Sequence, residues 1–167
     1  WASGGTLNTG RQSSSGFGQS NTLAVSASGE VSGSNTAATE NYNGTSWSSS
    51  GNVSNARRQA GAAGTQTSGL LYGGDTSTNS TGYTNVTEEY NGSSWTAGGS
   101  LGTTRKTNNG IGTQTAAVAA GGQTPAGPDA IVSTTEEYNG TSWTSATSMP
   151  YTTVQAAGCG LESAGKI

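Results

Sequence analysis

Three glutamates recur a few residues before tryptophan in this 167-residue chain: Glu40 before Trp47, Glu88 before Trp95 and Glu136 before Trp143. Paired carboxylates are what glycoside hydrolysis needs, one as acid and one as nucleophile or base. Tryptophan faces also stack on sugar rings. The same residues carry a structural reading. They return once per repeat, so they fall at equivalent places around a repeated fold instead of converging on one site. A buried carboxylate must find a charged or hydrogen-bonding partner. Arg11, Arg57 and Arg105, each ten residues past a tryptophan, are the candidates. Even spacing of the indoles likewise favours packing over sugar stacking. No residue is assigned a catalytic role, and the chain reads as non-enzymatic. Asp75, Tyr83 and Asp129 lie outside the repeat phase, in variable connections. Loops on a rigid scaffold concentrate binding residues, so these three are the candidates for ligand contact.

Composition removes several other chemistries. With no histidine there is no His-based zinc or copper site and no Ser-His or Cys-His dyad. Cys159 stands alone, so no internal disulfide forms, and a single cysteine among small residues reads as buried filler. Two scattered Asp do not make a calcium loop. No cofactor is expected. The net charge is −3, and the six cations are spread from Arg11 to Lys166, too few in any one place to neutralise several phosphates. Nucleic acid is therefore excluded as a partner. The longest apolar run, Ala116 to Ala120, is too short to span a bilayer. The first residues show no charged segment followed by an apolar one, and an opening Trp in place of Met suggests a processed or partial chain.

The elements that hold these residues are read from one stretch, Thr87-Glu88-Glu89-Tyr90-Asn91-Gly92-Ser93-Ser94-Trp95. It returns at Thr135–Trp143 and, more loosely, at Thr39–Trp47. Asn-Gly between short runs rich in Thr, Tyr and Trp predicts a hairpin with a type I′ turn. With Tyr90 and Ser93 flanking that turn, Glu88 faces Trp95 across the ladder, Glu40 faces Trp47 and Glu136 faces Trp143. Tyr90, two residues on, shares the face of Glu88. Trp, Tyr and one carboxylate thus lie on one face in every copy, expected to be buried. Glu89, Glu137 and Asn41 point the other way. The Asn-x-Ser/Thr pattern at Asn43, Asn91 and Asn139 is accounted for by the turn.

Trp1, Trp47, Trp95 and Trp143 stand 46, 48 and 48 residues apart, and periods of about 40–50 residues with strand-like content indicate propeller blades. Gly18, Gly64, Gly112 and Gly160 follow at a fixed offset. Gly73-Gly74 and Gly121-Gly122 follow at another, with Ala27-Ser28 in their place in the first copy. Each unit holds four candidate strands: Arg57–Gln66 or Arg105–Gln114, small-residue runs suited to a crowded axis; Ser68–Tyr72 or Ala116–Ala120; and the two arms of the hairpin. Gly recurs too often for a helix to persist. Blade units of about 1–47, 48–95 and 96–143, with a partial unit 144–167, make one repeat domain. The last unit's double glycine would fall beyond Ile167.

A strand ending in Gly-Gly, then Tyr, then Trp resembles the kelch repeat. Leu70-Leu71-Tyr72-Gly73-Gly74, Tyr90 and Trp95 carry the resemblance most fully, and Val118-Ala119-Ala120-Gly121-Gly122, Tyr138 and Trp143 nearly as well. It covers essentially the whole chain and implies an all-β, kelch-like β-propeller of about three and a half four-stranded blades, part of a larger ring. The polar, low-charge variant with Thr-Glu-Glu-Tyr-Asn-Gly-Thr-Ser-Trp looks like the kelch-like repeats of tail fibres and other virion proteins of marine bacteriophages. That likeness implies a structural and binding component of a virion, outside the cell. Its partners would be other virion chains, further blades of the same polypeptide, or a host-surface glycan or receptor. Two other classes are weighed: a kelch-type protein-interaction scaffold, and a carbohydrate-active propeller enzyme. A copper oxidase of the latter kind needs His ligands, which this chain lacks.

Overall fold

The computed structural model describes residues 4–77, 82–106, 109–127 and 130–155. Every regular element among them is a strand, and none of the described residues forms a helix long and apolar enough to cross a membrane. Three four-stranded antiparallel sheets follow one another along the chain. The first comprises β1 (Ser15–Ser20), β2 (Leu23–Ala27), β5 (Thr39–Tyr42) and β6 (Trp47–Ser50), with the short hairpin β3 (Glu30–Val31) and β4 (Ser34–Asn35) inserted after β2. The second is β7 (Gly61–Thr65), β8 (Ser68–Tyr72), β9 (Thr87–Tyr90) and β10 (Trp95–Ala97). The third is β11 (Asn109–Thr113), β12 (Ala116–Ala120), β13 (Thr135–Tyr138) and β14 (Trp143–Ala146). In each sheet the strands neighbour one another in chain order. The described residues form a partial β-propeller of three blades.

The first strands of the blades converge: β1 lies against β7 and β7 against β11. Small residues make that approach feasible. A Cβ on Gly110 would run into the backbone of Ala62, 2.7 Å from its nitrogen, and one on Gly69 would enter the Phe17 ring. Away from the axis the gaps widen and larger side chains fill them. Phe17, Val25 and Ala27 of the first blade bury against Leu71, Tyr90 and Trp95 of the second. Ala63, Leu70 and Tyr72 of the second bury against Leu101, Tyr138 and Trp143 of the third. Between blades the rings meet edge to face, Phe17 to Trp95 at 6.1 Å and 88° and Tyr72 to Trp143 at 4.7 Å and 60°, the arrangement their quadrupoles favour.

Two turn assignments are corrected. Tyr90 pairs with Trp95, so the hairpin encloses Asn91–Ser94, and Glu88 pairs with Ala97. Tyr42–Trp47 and Tyr138–Trp143 pair the same way. Asn91 does not take positive φ; only Gly92 does, at 98°. The Asn91 Oδ1 instead accepts the backbone N–H groups of Ser93 and Ser94 at 3.0 and 2.9 Å, closing the turn through the side chain. The slip is two residues, so side chains keep their faces: Glu88, Tyr90 and Trp95 are all buried together. A two-residue hairpin turn with both φ values positive does occur at Ser32-Gly33, at 50° and 82°, between β3 and β4. In the first blade the counterpart of the double glycine is Ser28-Gly29, with φ of 56° and 112°, and not Ala27-Ser28. The register irregularity between Gly18 and Ser20 adds one residue to β1 and displaces the motif by that amount.

Polar side chains lock each blade to the one before it. The indole N–H groups of Trp95 and Trp143 donate to the hydroxyls of Thr39 and Thr87, at 3.0 and 2.9 Å. The Tyr90 hydroxyl donates to Asn41 Oδ1 at 3.1 Å and that of Tyr138 to Glu89 Oε1 at 2.6 Å. Asn41 and Glu89, one neutral and one acidic at the same repeat position, therefore do the same job. Burial first, and then the hydrogen bond to Glu89, push the Tyr138 phenol up to about 12. Its neutral form is favoured in the folded state, so this contribution is complete below pH 10 and is lost as pH rises from 10 through about 12. Denaturation midpoints should fall over that interval, and Tyr138→Phe should flatten the fall. An equally steep decline in the variant would contradict the assignment.

Candidate functional site

The three candidate carboxylates sit one per blade, on β5, β9 and β13, and each is almost wholly buried, at 2%, 1% and 4% exposure for Glu40, Glu88 and Glu136. Each faces the arginine ten residues past the preceding tryptophan. Arg11 pairs with Glu40 and Arg105 with Glu136 through Nη2 and Oε1. Arg57 Nη2 stands 3.1 Å from Glu88 Oε1. The other carboxylate oxygen accepts a backbone N–H of the segment entering the blade: Asn8 at 2.7 Å, Ser54 at 2.7 Å and Gly102 at 2.6 Å. Arg105 also donates to the carbonyls of Gly121 and Thr134, at 3.1 and 3.0 Å. The glutamate thus pins the incoming segment in every blade, and Arg11 and Arg105 also secure the turn after the second strand. Burial pushes the Arg57 guanidinium below its ordinary value, opposed by the charge of Glu88. Carboxylates held on three separate sheets, each facing an arginine with one oxygen and a backbone N–H with the other, are struts between elements.

The double glycines have an equally mechanical role. Gly73 and Gly74 have φ of 64° and 107°, and Gly121 and Gly122 of 67° and 102°, the left-handed region that costs Gly little. They bend the chain out of the second strand. Past the bend the ladder resumes for one residue in each blade, through the bridges Gln12–Glu30, Arg58–Asp75 with Asp75–Tyr83, and Lys106–Gln123 with Gln123–Ile131. The backbone repeats here while the side chains change from blade to blade.

Those side chains form a chain of alternating charge across the three blades. Gln12 Nε2 donates to Glu30 Oε1 at 2.8 Å, and Glu30 pairs with Arg58. These two bonds, Gln12 first, hold the Glu30 carboxyl below the usual range. Arg58 Nη2 lies 3.6 Å from Asp75 Oδ2, and Lys106 Nζ lies 3.7 Å from the same oxygen. Lys106 stands 4.6 Å over the Tyr83 ring, a cation–π contact. Asp75 is fully buried, and its Oδ1 accepts the N–H and hydroxyl of Ser77 at 3.0 and 2.9 Å. Of the three loop candidates, then, Asp75 anchors the network from within and Tyr83 is half-buried at its edge. Asp129 lies outside the described residues, as do Trp1 and Cys159. Positive and negative groups alternate, which suits a neutral polar ligand better than a polyanion. Ile131, at the place of Tyr83 in the next blade, is 38% exposed.

Sequence reasoning passed over Glu30, Arg58 and Lys106. The signal for Arg58 and Lys106 was an offset of one residue beyond each recurring arginine position, which holds Gln12, Arg58 and Lys106. It also passed over a glutamine clasp. Gln66 Nε2 donates to the carbonyls of Ala24 and Tyr42 in the preceding blade, at 3.0 and 2.7 Å. Gln114 Nε2 does the same to Gly69 and Tyr90, both at 2.9 Å. The repeated Gly-Thr-Gln at 64–66 and 112–114 marks it.

No family model matches the sequence, and no curated protein is similar to it. The fold does have relatives. Among 140 matching solved chains, the one entitled "Structure of YjhT" superposes with a TM-score of 0.64 at 16% identity, over 79% of this chain and 43% of that one. The present chain therefore spans less than half of that propeller. At this identity the likeness defines the architecture: both are β-propellers.

The strut reading predicts an asymmetric mutational response. Arg57→Met leaves Glu88 buried without its counter-charge and should cost about 3–5 kcal/mol in urea denaturation. Arg57→Met combined with Glu88→Leu should recover most of that loss. A single variant within about 0.5 kcal/mol of the parent would show that the pair is dispensable.

Proposed function

We propose that this chain is a non-enzymatic, kelch-like propeller segment of a bacteriophage particle, in a tail fibre or surface appendage, that contacts a host-surface glycan or receptor through the variable end of its blades. The reading is supported by the kelch-like order of Gly73-Gly74, Tyr90 and Trp95 and of Gly121-Gly122, Tyr138 and Trp143, together with the Thr-Glu-Glu-Tyr-Asn-Gly stretch. Neighbouring virion chains and further blades are the structural partners it implies, at an extracellular location.

The observation that carries the binding half is the contrast within each repeat. Positions that build the seams repeat in type, whereas the bridge beyond the double glycine carries Glu30, Asp75 or Gln123 on one strand and Gln12, Arg58 or Lys106 on its neighbour. A scaffold with variable side chains gathered at one end of its sheets is built for recognition. With charges alternating and nearly cancelling, the surface favours hydroxyl-rich ligands, which exchange hydrogen bonds with mixed donors and acceptors and pack an apolar face on a ring such as Tyr83. A kelch-type protein-interaction scaffold is the competing reading, and the exposed Ile131 is the feature that favours it.

A glycan array probed with the full chain separates the two. The adhesin reading predicts selective binding that Tyr83→Ala weakens at least tenfold without lowering the melting temperature. A folded chain that binds no glycan would count against it.

A further inference from the structure

The outward face of the third blade repeats a surface that the structure shows covered twice. At the first seam, Thr39 Oγ1 accepts an indole N–H, Asn41 Oδ1 a phenol, and the carbonyls of Ala24 and Tyr42 a glutamine amide. At the second, Thr87, Glu89, Gly69 and Tyr90 receive the same three donors. The matching acceptors on the third blade are Thr135 Oγ1, Glu137 and the carbonyls of Ala117 and Tyr138, by strand register. Thr135 Oγ1 is buried without a hydrogen-bond partner, a costly condition for a hydroxyl. Val118, at the place of the buried Val25 and Leu70, is only half-buried.

We propose that this face is the docking surface of a fourth blade of the same repeat, one that brings a Trp indole to Thr135, a Tyr hydroxyl to Glu137 and a Gln amide to Ala117 and Tyr138. The occupant belongs to the same polypeptide. Its entering segment is already in place: Met149 N donates to the Ser133 carbonyl at 2.9 Å, as Val53 N does to Ala37 and Leu101 N to Asn85. Gly122 N donates to the Thr153 carbonyl at 2.8 Å, as Gly29 N does to Arg57 and Gly74 N to Arg105. Gln155 has φ of 54°, matching Gln59 at 55° and Ser13 at 53°. A second copy docking its own first blade here would bring Leu7–Arg11 into the place that Met149–Thr153 fills. The inference stands on the repeat geometry and does not depend on the receptor reading.

The test compares the 167-residue chain with a fusion of residues 1–146 to a duplicate of residues 51–101, which supplies all three donors. The fusion should melt at least about 5 °C higher. Thr135→Val should lower that melting temperature by about 2–4 °C in the fusion and raise it in the parent chain, where the hydroxyl it removes is buried without a partner. Equal responses to Thr135→Val in the two proteins would overturn the proposal. So would a parent chain that sediments as a dimer and is split by Thr135→Arg, because a second copy would then hold the face.

Discussion

The structure depends on one repeated contact: an indole from the second and from the third blade inserted against the blade before it, with its N–H on a threonine hydroxyl. Trp95 on Thr39 and Trp143 on Thr87 are separated by 56 residues in both cases. The identical separation is what makes the arrangement propagate. A tryptophan buries a large apolar area and has one polar atom to satisfy. Threonine at the start of the third strand satisfies it without leaving the strand. The phenol beside it and the glutamine clasp add two further directional bonds, so neighbouring sheets are fixed in rotation as well as in distance.

This matters because the chain has little else to hold it together. Only 29% of its residues are hydrophobic, and the inner strands place Gly and Ala at their closest approaches, as Gly110 does against Ala62. The wedge of space between blades is therefore filled by a few aromatic rings and aliphatic side chains, and Arg–Glu struts brace each blade within. Buried ion pairs are weak sources of net stability but costly to break. Here the Arg11–Glu40 and Arg105–Glu136 pairs tie the entering segment, the third strand and the turn after the second into one unit, and Arg57–Glu88 ties the entering segment to the second and third strands. Specificity of arrangement is what such pairs supply.

Much of this was legible in the sequence because the repeat phase is strict. The evenly spaced tryptophans, the double glycines and the Asn-Gly turns define four strands per unit, and the second strands run Ser68–Tyr72 and Ala116–Ala120 in the structure. The hairpin register was not legible, since Asn91 closes its turn with a side-chain carbonyl and so avoids positive φ. The buried face survived that difference because a slip of two residues leaves pleating unchanged. The rim network was hidden for another reason: Glu30, Arg58, Asp75 and Lys106 meet only where three blades adjoin, and no spacing along one repeat reveals a contact between repeats.

The central claim, that side-chain seams between blades hold the fold, is tested most directly by a double-mutant cycle on Trp143→Phe and Thr87→Val, followed by urea denaturation. The seam predicts a coupling energy of about 0.5–1.5 kcal/mol between the two positions. Strictly additive effects would mean that indole and hydroxyl do not interact, and would contradict the account.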